Sequence, residues 1–207
     1  MSEVEQAIAQ IADIRAQLAA STRFRGYAPE AVGMIGLLSL MIMLMQLVWP
    51  ARFAESDQQY VMIWGLLMAA GCLLIAAEAI LRTRRARDHM AQPMLLSAMR
   101  IVVPAAVIAA AVPVAILAYA PKAAWIVPGI WQMLISLVAF ASYATMPRRI
   151  VWPGAWFLLS GSAGLFLAGA QGGLTPLVVG VPFVAGHFAI AWALSDRGSD
   201  REGGVHA

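Results

Sequence analysis

Residues 101–119 read IVVPAAVIAAAVPVAILAY, and this uncharged apolar run decides the class of the fold. Its length suits a helix that crosses a hydrocarbon core about 30 Å thick, which takes roughly 20 apolar residues. A membrane β-strand instead shows about ten residues of alternating polarity, and Ala105–Ala118 does not alternate. Because backbone amides find no water in hydrocarbon, a helix is the structure that satisfies them within such a segment. The run therefore predicts an all-α membrane protein.

Apolar stretches of similar length lie on both sides of this run. They share a scarcity of charge, and they are Ala31–Trp49, Tyr60–Leu81, Ala123–Thr145, Trp152–Ala170 and Leu174–Leu194. The 207-residue chain is 61% hydrophobic and 12% charged, whereas soluble domains are nearer half apolar and about a quarter charged. We therefore predict a single polytopic domain of six transmembrane helices over residues 30–195.

Positive charge is unevenly distributed among the connections. Of the 14 Lys and Arg residues, all but Arg52 and Lys122 fall in the two tails or in the second and fourth connections. By the positive-inside rule these segments face the cytoplasm. We therefore expect a multi-pass protein of the bacterial inner (cytoplasmic) membrane with both termini cytoplasmic. The basic pI of about 9.5 then reflects topology, and the expected partner is the lipid bilayer and not nucleic acid.

Residues 1–29 are predicted to form a cytoplasmic amphipathic helix and a junction to the first span. Ser2 and Glu5 fit a capping box at its start. Apolar residues then recur at spacings of three and four, and we assign the seam to Val4, Ile8, Ile11, Ile14 and Leu18. The helix lacks the basic face of a lipid-surface helix. We expect residues 2–20 to bind a second copy of the chain, another cytoplasmic protein or the underside of the bundle, and residues 196–207 to form a flexible cytoplasmic tail.

His187 is the main candidate for function inside the spans, where ionisable residues are costly. It lies roughly 10 Å from the predicted inner end of the sixth span, so it needs a hydrogen-bond partner across the bundle or a ligand. We predict a binding site from side chains that could converge in this region of the bundle, with His187 joined by Glu78, Arg100, Ser142 and Gln132.

Two of these candidates also have simpler interpretations. Glu78 precedes Arg82 by four residues, which is the spacing of an ion pair on one helix face. Gln132, like Gln46, is neutral and can bridge two helices by a hydrogen bond. These interpretations remain open beside the binding site.

Aromatic residues stand near the ends of the predicted spans, where Trp and Tyr anchor membrane helices at the headgroup level. We predict this anchoring role for Trp49, Tyr60, Trp64, Tyr119, Trp125, Tyr143, Trp152, Trp156 and Trp192.

The sequence offers no motif of a recognised enzyme. It contains no nucleophile elbow, no HExxH and no phosphate-binding GxxxxGK[ST]. A lone histidine with a lone glutamate matches no hydrolytic or metal-dependent mechanism. We therefore expect a non-enzymatic protein with no catalytic residue, no metal site and no cofactor.

Two short motifs stand at the junction with the membrane and in the last span. They read Ile14-Arg15-x2-Leu18-x2-Ser21-Thr22-Arg23-Phe24 and Gly180-x-Pro182-x3-Gly186-His187. With them, the chain resembles a family of small six-span bacterial inner-membrane proteins of uncharacterised function, often encoded beside a winged-helix regulator. The resemblance covers most of the chain and implies the fold, but it implies no activity.

Two functions remain open from the sequence. The first is a sensor, accessory or scaffold component that acts through its cytoplasmic face. The alternative is a small-solute or proton-linked transporter that uses His187 and Glu78, with proline hinges in the third and sixth spans. A water-filled cavity that reaches His187 would favour transport, and a solid core would oppose it.

Overall fold

The computed structural model describes residues 29–85, 91–143 and 146–195. Throughout these ranges the regular elements are helical, and none of them is a strand. The predicted amphipathic helix at residues 2–20 and the predicted tail at residues 196–207 lie outside the described residues.

Six long helices account for most of this part of the chain. In order they are α1 (Pro29–Val48), α2 (Asp57–Arg85), α3 (Ala91–Tyr119), α4 (Val127–Ala141), α5 (Val151–Gln171) and α6 (Pro176–Ser195). Short helical turns at Pro50–Phe53, Pro121–Ile126 and Arg148–Ile150 precede or follow them. With the turns that lead into α4 and α5, all six are long and apolar enough to cross a membrane. The predicted six spans are confirmed at that level.

The turn between α5 and α6 shows how local sequence ends one span and starts the next. Gly172 adopts a φ of 77°, and the amide of Gly173 donates to Ala168 O at 2.9 Å. This left-handed position after a helix favours glycine, which has no Cβ. Thr175 then accepts a hydrogen bond from Val178 N at 3.3 Å and so caps α6. The chain therefore reverses its direction within a few residues.

The helices form a ring in chain order. Each one packs on its neighbours along the chain, and α6 packs back on α1 in the most extensive of the helix contacts. One hydrogen bond links α2 to the turn between α5 and α6. Asp57 at the start of α2 accepts the amide of Leu174 at 2.8 Å. The first and last of the six described long helices are therefore direct neighbours.

Charge separates the two ends of this bundle. Arg82 near the end of α2 reaches Glu30 near the start of α1 at 3.5 Å, so these two helices run antiparallel. The end that holds Arg82 is called the basic end below, and its arginines in the described ranges are Arg82, Arg84, Arg85, Arg100, Arg148 and Arg149. The opposite end carries Arg52 and Lys122. Which end faces the cytoplasm stays a prediction from the positive-inside rule.

The core is aromatic, and two residues predicted as interfacial anchors belong to it. Trp64 is fully buried and Tyr60 is 2% exposed, and both pack with Val127, Trp131 and Phe183. The anchoring prediction is wrong for these two because they face the ring interior. By contrast Trp49, Tyr119, Trp152 and Trp192 are exposed. Many large apolar side chains also cover the outside of the bundle, as expected where lipid is the solvent.

Candidate functional site around His187

His187 lies inside the bundle near its basic end. It stands eight residues before Ser195, the last residue of α6, which corresponds to about 12 Å along a helix. Only 7% of the residue is exposed. The structure therefore buries His187 inside an apolar helix, as the sequence suggested.

The hydrogen bond of His187 stays within its own helix. Its Nδ1 lies 2.7 Å from the backbone oxygen of Phe183, one turn earlier. Because a carbonyl oxygen only accepts, Nδ1 carries the proton in this contact. The neutral imidazole then has an unprotonated Nε2, which can accept a hydrogen bond or a proton.

Two aromatic rings contact the imidazole and a third stacks on one of them, and together they form the aromatic cluster (Trp64, Phe157, Phe183 and His187). Phe183 stacks on His187 at a centroid distance of 6.0 Å, and Phe157 meets His187 edge-on at 5.8 Å. Phe183 also stacks on Trp64 at 5.2 Å. Trp64, Phe157 and Phe183 are fully buried. The cluster fills the centre of the ring from α2 across to α5 and α6.

Glycines let the neighbouring helices approach this cluster. A Cβ built on Gly36 of α1 would lie 3.4 Å from the Cβ of His187. One built on Gly186 would lie 2.8 Å from Cε1 of Phe157 and closer to two other atoms of that ring. Real Cβ atoms do not approach carbon atoms this closely, so position 186 has no room for a side chain. Helices α1 and α5 both press directly on the His187 turn.

Glu78 and His187 have separate partners in the structure. The Glu78 carboxylate accepts from Arg82 at 2.7 Å and 3.0 Å, at the i,i+4 spacing seen in the sequence. The interpretation of Glu78 as an ion-pair residue is thus supported by geometry. Arg82 extends to Glu30 as well, so the pair joins α2 to α1.

Arg100 and Ser142 are two further candidates for the predicted site. Arg100 is exposed on α3, and Ser142 is buried just after α4. In the part of the chain that the structure describes, no hydrogen bond joins His187 to either of them. The predicted convergence on His187 is not seen among these contacts.

The buried glutamines bridge helices. Gln132 on α4 accepts from the Ser160 hydroxyl on α5 at 2.8 Å. Gln46 on α1 accepts from the Trp64 indole at 3.1 Å and donates to Phe53 O at 3.1 Å. Both side chains are almost fully buried. Their amides join neighbouring helices, which is the simpler of the two interpretations that the sequence left open.

Two tryptophan bridges were not predicted from the sequence. Trp131 Nε1 on α4 donates to Ala109 O on α3 at 2.8 Å, and Trp156 Nε1 on α5 donates to Pro182 O on α6 at 3.0 Å. The sequence does contain a signal for the bridge from Trp131 to Ala109. Pro113 lacks the amide that would bond Ala109 O four residues earlier, so a donor from elsewhere was to be expected.

Within the described ranges, no group of three or more His, Cys, Asp or Glu residues is placed to hold a metal ion. His187 stands among carbon-rich side chains, and the nearest polar contact of its ring is a backbone oxygen. The geometry provides one basic nitrogen in a packed aromatic surrounding, without a nucleophile or carboxylate bound to it.

Comparisons of the chain with known protein families, curated proteins and solved structures find no match.

Proposed function

We propose that this chain is a non-enzymatic multi-pass protein of the bacterial inner membrane that acts through its cytoplasmic face as a sensor, accessory or scaffold component. The observation that best supports this proposal is the aromatic cluster, whose stacked rings occupy the centre of the bundle. A transported solute needs a polar path past the midplane. Here the side chains that would line such a path pack on each other.

The buried polar groups support the same proposal. The acceptor oxygens of Gln46 and Gln132 and the Nδ1 of His187 each have a partner inside the protein. A binding site for a polar solute would present such groups to the solute instead. In this proposal the described bundle serves as the support, and recognition of a partner is assigned to the cytoplasmic side.

The basic end is the proposed cytoplasmic side. Its exposed arginines, among them Arg84 and Arg85 at the end of α2, are the kind of charge that the positive-inside rule retains in the cytoplasm. The seam at residues 2–20 belongs to the same side in this proposal, since it leads directly into α1. The resemblance to the small six-span bacterial family is part of the proposal and adds no activity to it.

Labelling of single cysteines in intact cells tests the sidedness and the solid core together. In a Cys72→Ala background, Lys122→Cys, Arg84→Cys and His187→Cys are each treated with a membrane-impermeant maleimide. We expect label at position 122 and none at positions 84 and 187. Label at 84 without label at 122 would reverse the proposed orientation, and label at 187 would favour the transporter.

Deletion of residues 2–20 tests action through the cytoplasmic face. We expect the shortened chain to insert normally but to lose the cross-linked partner or oligomer that the full chain forms in membranes. Deletion of residues 196–207 serves as the matched control at the other terminus and should keep the cross-link. An unchanged cross-linking profile after removal of 2–20 would refute the proposal.

A further inference from the structure

Helix α3 is much less covered than the other spans. Only 6% of its span window is buried, compared with 28–44% for the other five. It is attached to the bundle by the buried Pro113, by the partly buried Ala109, Ile116 and Leu117, and by the hydrogen bond from Trp131 to Ala109. Most of its surface therefore faces whatever surrounds the bundle.

One face of α3 is a continuous exposed strip with a charge at one end. The α3 strip consists of exposed residues at spacings of four and three: Leu96, Arg100, Val103, Val107, Ala110 and Val114. At 3.6 residues per turn these positions fall within an arc of about 80°. The strip is apolar except for Arg100, which stands near the basic end.

The charge of Arg100 is not neutralised by the described protein. The ion pairs that join two described residues at the basic end are those of Arg82 with Glu30 and with Glu78. Exposed Arg84 and Arg85 end the neighbouring helix α2, which packs beside α3. The strip therefore begins in a positive region with no carboxylate left over in the described ranges to balance it.

A second copy of the chain is a poor occupant for this strip. Copies in a membrane share one orientation, so a two-fold axis along the membrane normal would pair the strip with itself in parallel. That arrangement places Arg100 against Arg100, and like charges across an interface are strongly unfavourable. An occupant with an anionic group at the basic end and an apolar remainder fits instead.

We propose that the α3 strip is a binding site for an anionic phospholipid. The lipid phosphate accepts hydrogen bonds from Arg100, whose guanidinium matches phosphate oxygens in a two-pronged geometry. An acyl chain lies along Val103, Val107 and Val114. Arg84 and Arg85 raise the preference for a negatively charged headgroup. The site is independent of the proposed function, since it requires only that the basic end lie at a membrane boundary.

Native mass spectrometry of the detergent-solubilised, delipidated full chain tests this site with phosphatidylglycerol and phosphatidylcholine as probes. We expect the intact protein to retain phosphatidylglycerol about fivefold better, the factor that one arginine near an anionic lipid supplies. Arg100→Gln should lose most of this preference, and Arg84→Gln with Arg85→Gln should lose part of it. The matched control Arg52→Gln removes an exposed arginine at the opposite end and should retain it.

Three outcomes would overturn the proposal. One is equal retention of the two lipids by the intact chain. Another is an equal loss of preference in Arg52→Gln and Arg100→Gln, which would indicate a general charge effect. The third is efficient disulfide dimerisation of Val107→Cys in a Cys72→Ala background in phosphatidylglycerol vesicles, which would mean that a second copy covers the strip. If Arg100→Gln fails to fold, the double variant of Arg84 and Arg85 still decides, since it must weaken the preference.

Discussion

Gly186 controls how closely α5 and α6 approach next to His187. The ring of Phe157 occupies the space where a Cβ would stand, with Cε1 at 2.8 Å from that position. Gly164 on α5 offers a contrast, because a Cβ there would meet only Val178 at an ordinary 3.7 Å. The same chemical change therefore has opposite consequences at two glycines of one helix pair.

We predict that Gly186→Ala lowers the free energy of unfolding by about 1–3 kcal/mol, the usual cost of overpacking a core. Gly164→Ala should be neutral or stabilise by about 0.5–1 kcal/mol, since alanine loses less entropy in a helix. Unfolding by sodium dodecyl sulfate in mixed micelles, followed by tryptophan fluorescence, measures both. Similar values for the two variants would show that Phe157 does not press on position 186.

At the scale of elements, tryptophan indoles join helices in pairs. Trp64 bonds α2 to α1, Trp131 bonds α4 to α3, and Trp156 bonds α5 to α6. Each indole finds an acceptor on a neighbouring helix in a region without water. For α3, which has little other burial, the bond to Ala109 is the main polar attachment among the described residues.

We predict that Trp131→Phe destabilises the protein by about 0.5–2 kcal/mol, since it leaves Ala109 O without its donor. Pro113→Ala supplies a backbone amide to the same oxygen, so Trp131→Phe should cost clearly less in that background. Equal costs in both backgrounds would contradict the role assigned to the bond. Trp125→Phe is the matched control. This half-buried tryptophan makes no hydrogen bond to the described residues, so the change should have little effect.

The sequence predicted where the helices lie better than it predicted which residues contact each other across the bundle. The six spans follow from length and apolar content, and the Glu78–Arg82 pair follows from its spacing, because both depend on neighbours along the chain. The burial of Tyr60 and Trp64 could not be read in this way. These helices are apolar on all sides, so periodicity does not reveal which face meets protein and which meets lipid.

The surroundings of His187 likewise depend on tertiary packing, which the sequence does not reveal. The sequence predicted a partner across the bundle or a ligand, and among the described residues the ring bonds to Phe183 on its own helix and packs on Phe157 from α5. That outcome depends on how α5 and α6 are rotated against each other. Gly36 on α1 and Gly186 on α6 leave space for the side chains beside this turn, and their role becomes visible only once those side chains are placed.

At the scale of the whole molecule, the ring is closed by α1 and α6. Gly33 and Ala191 face each other across this contact, and a Cβ on Gly33 would lie 3.9 Å from the Cβ of Ala191. Gly36 and His187 repeat the contact one turn further along α1. The two helices are thus in register over several turns.

We predict that Gly33→Cys with Ala191→Cys, in a Cys72→Ala background, forms an intramolecular disulfide under mild oxidation. The Cβ separation falls inside the range of about 3.5–4.5 Å that disulfides need. Faster migration in a non-reducing gel, reversed by reduction, reports the bond. Moving the second cysteine to Ala185, which is exposed, is the control and should abolish it. A failure of the 33–191 pair in folded protein would rule out the closed ring.

The pairing of α1 with α6 has a consequence for biosynthesis. Of the six described spans, α1 leaves the ribosome first, but its principal partner α6 is the last of the six to be translated. Until then the glycine-lined side of α1 can only be shielded by lipid or by an insertion factor. A message truncated before α6 would therefore release a chain with an unmatched first helix, a ready substrate for membrane proteolysis.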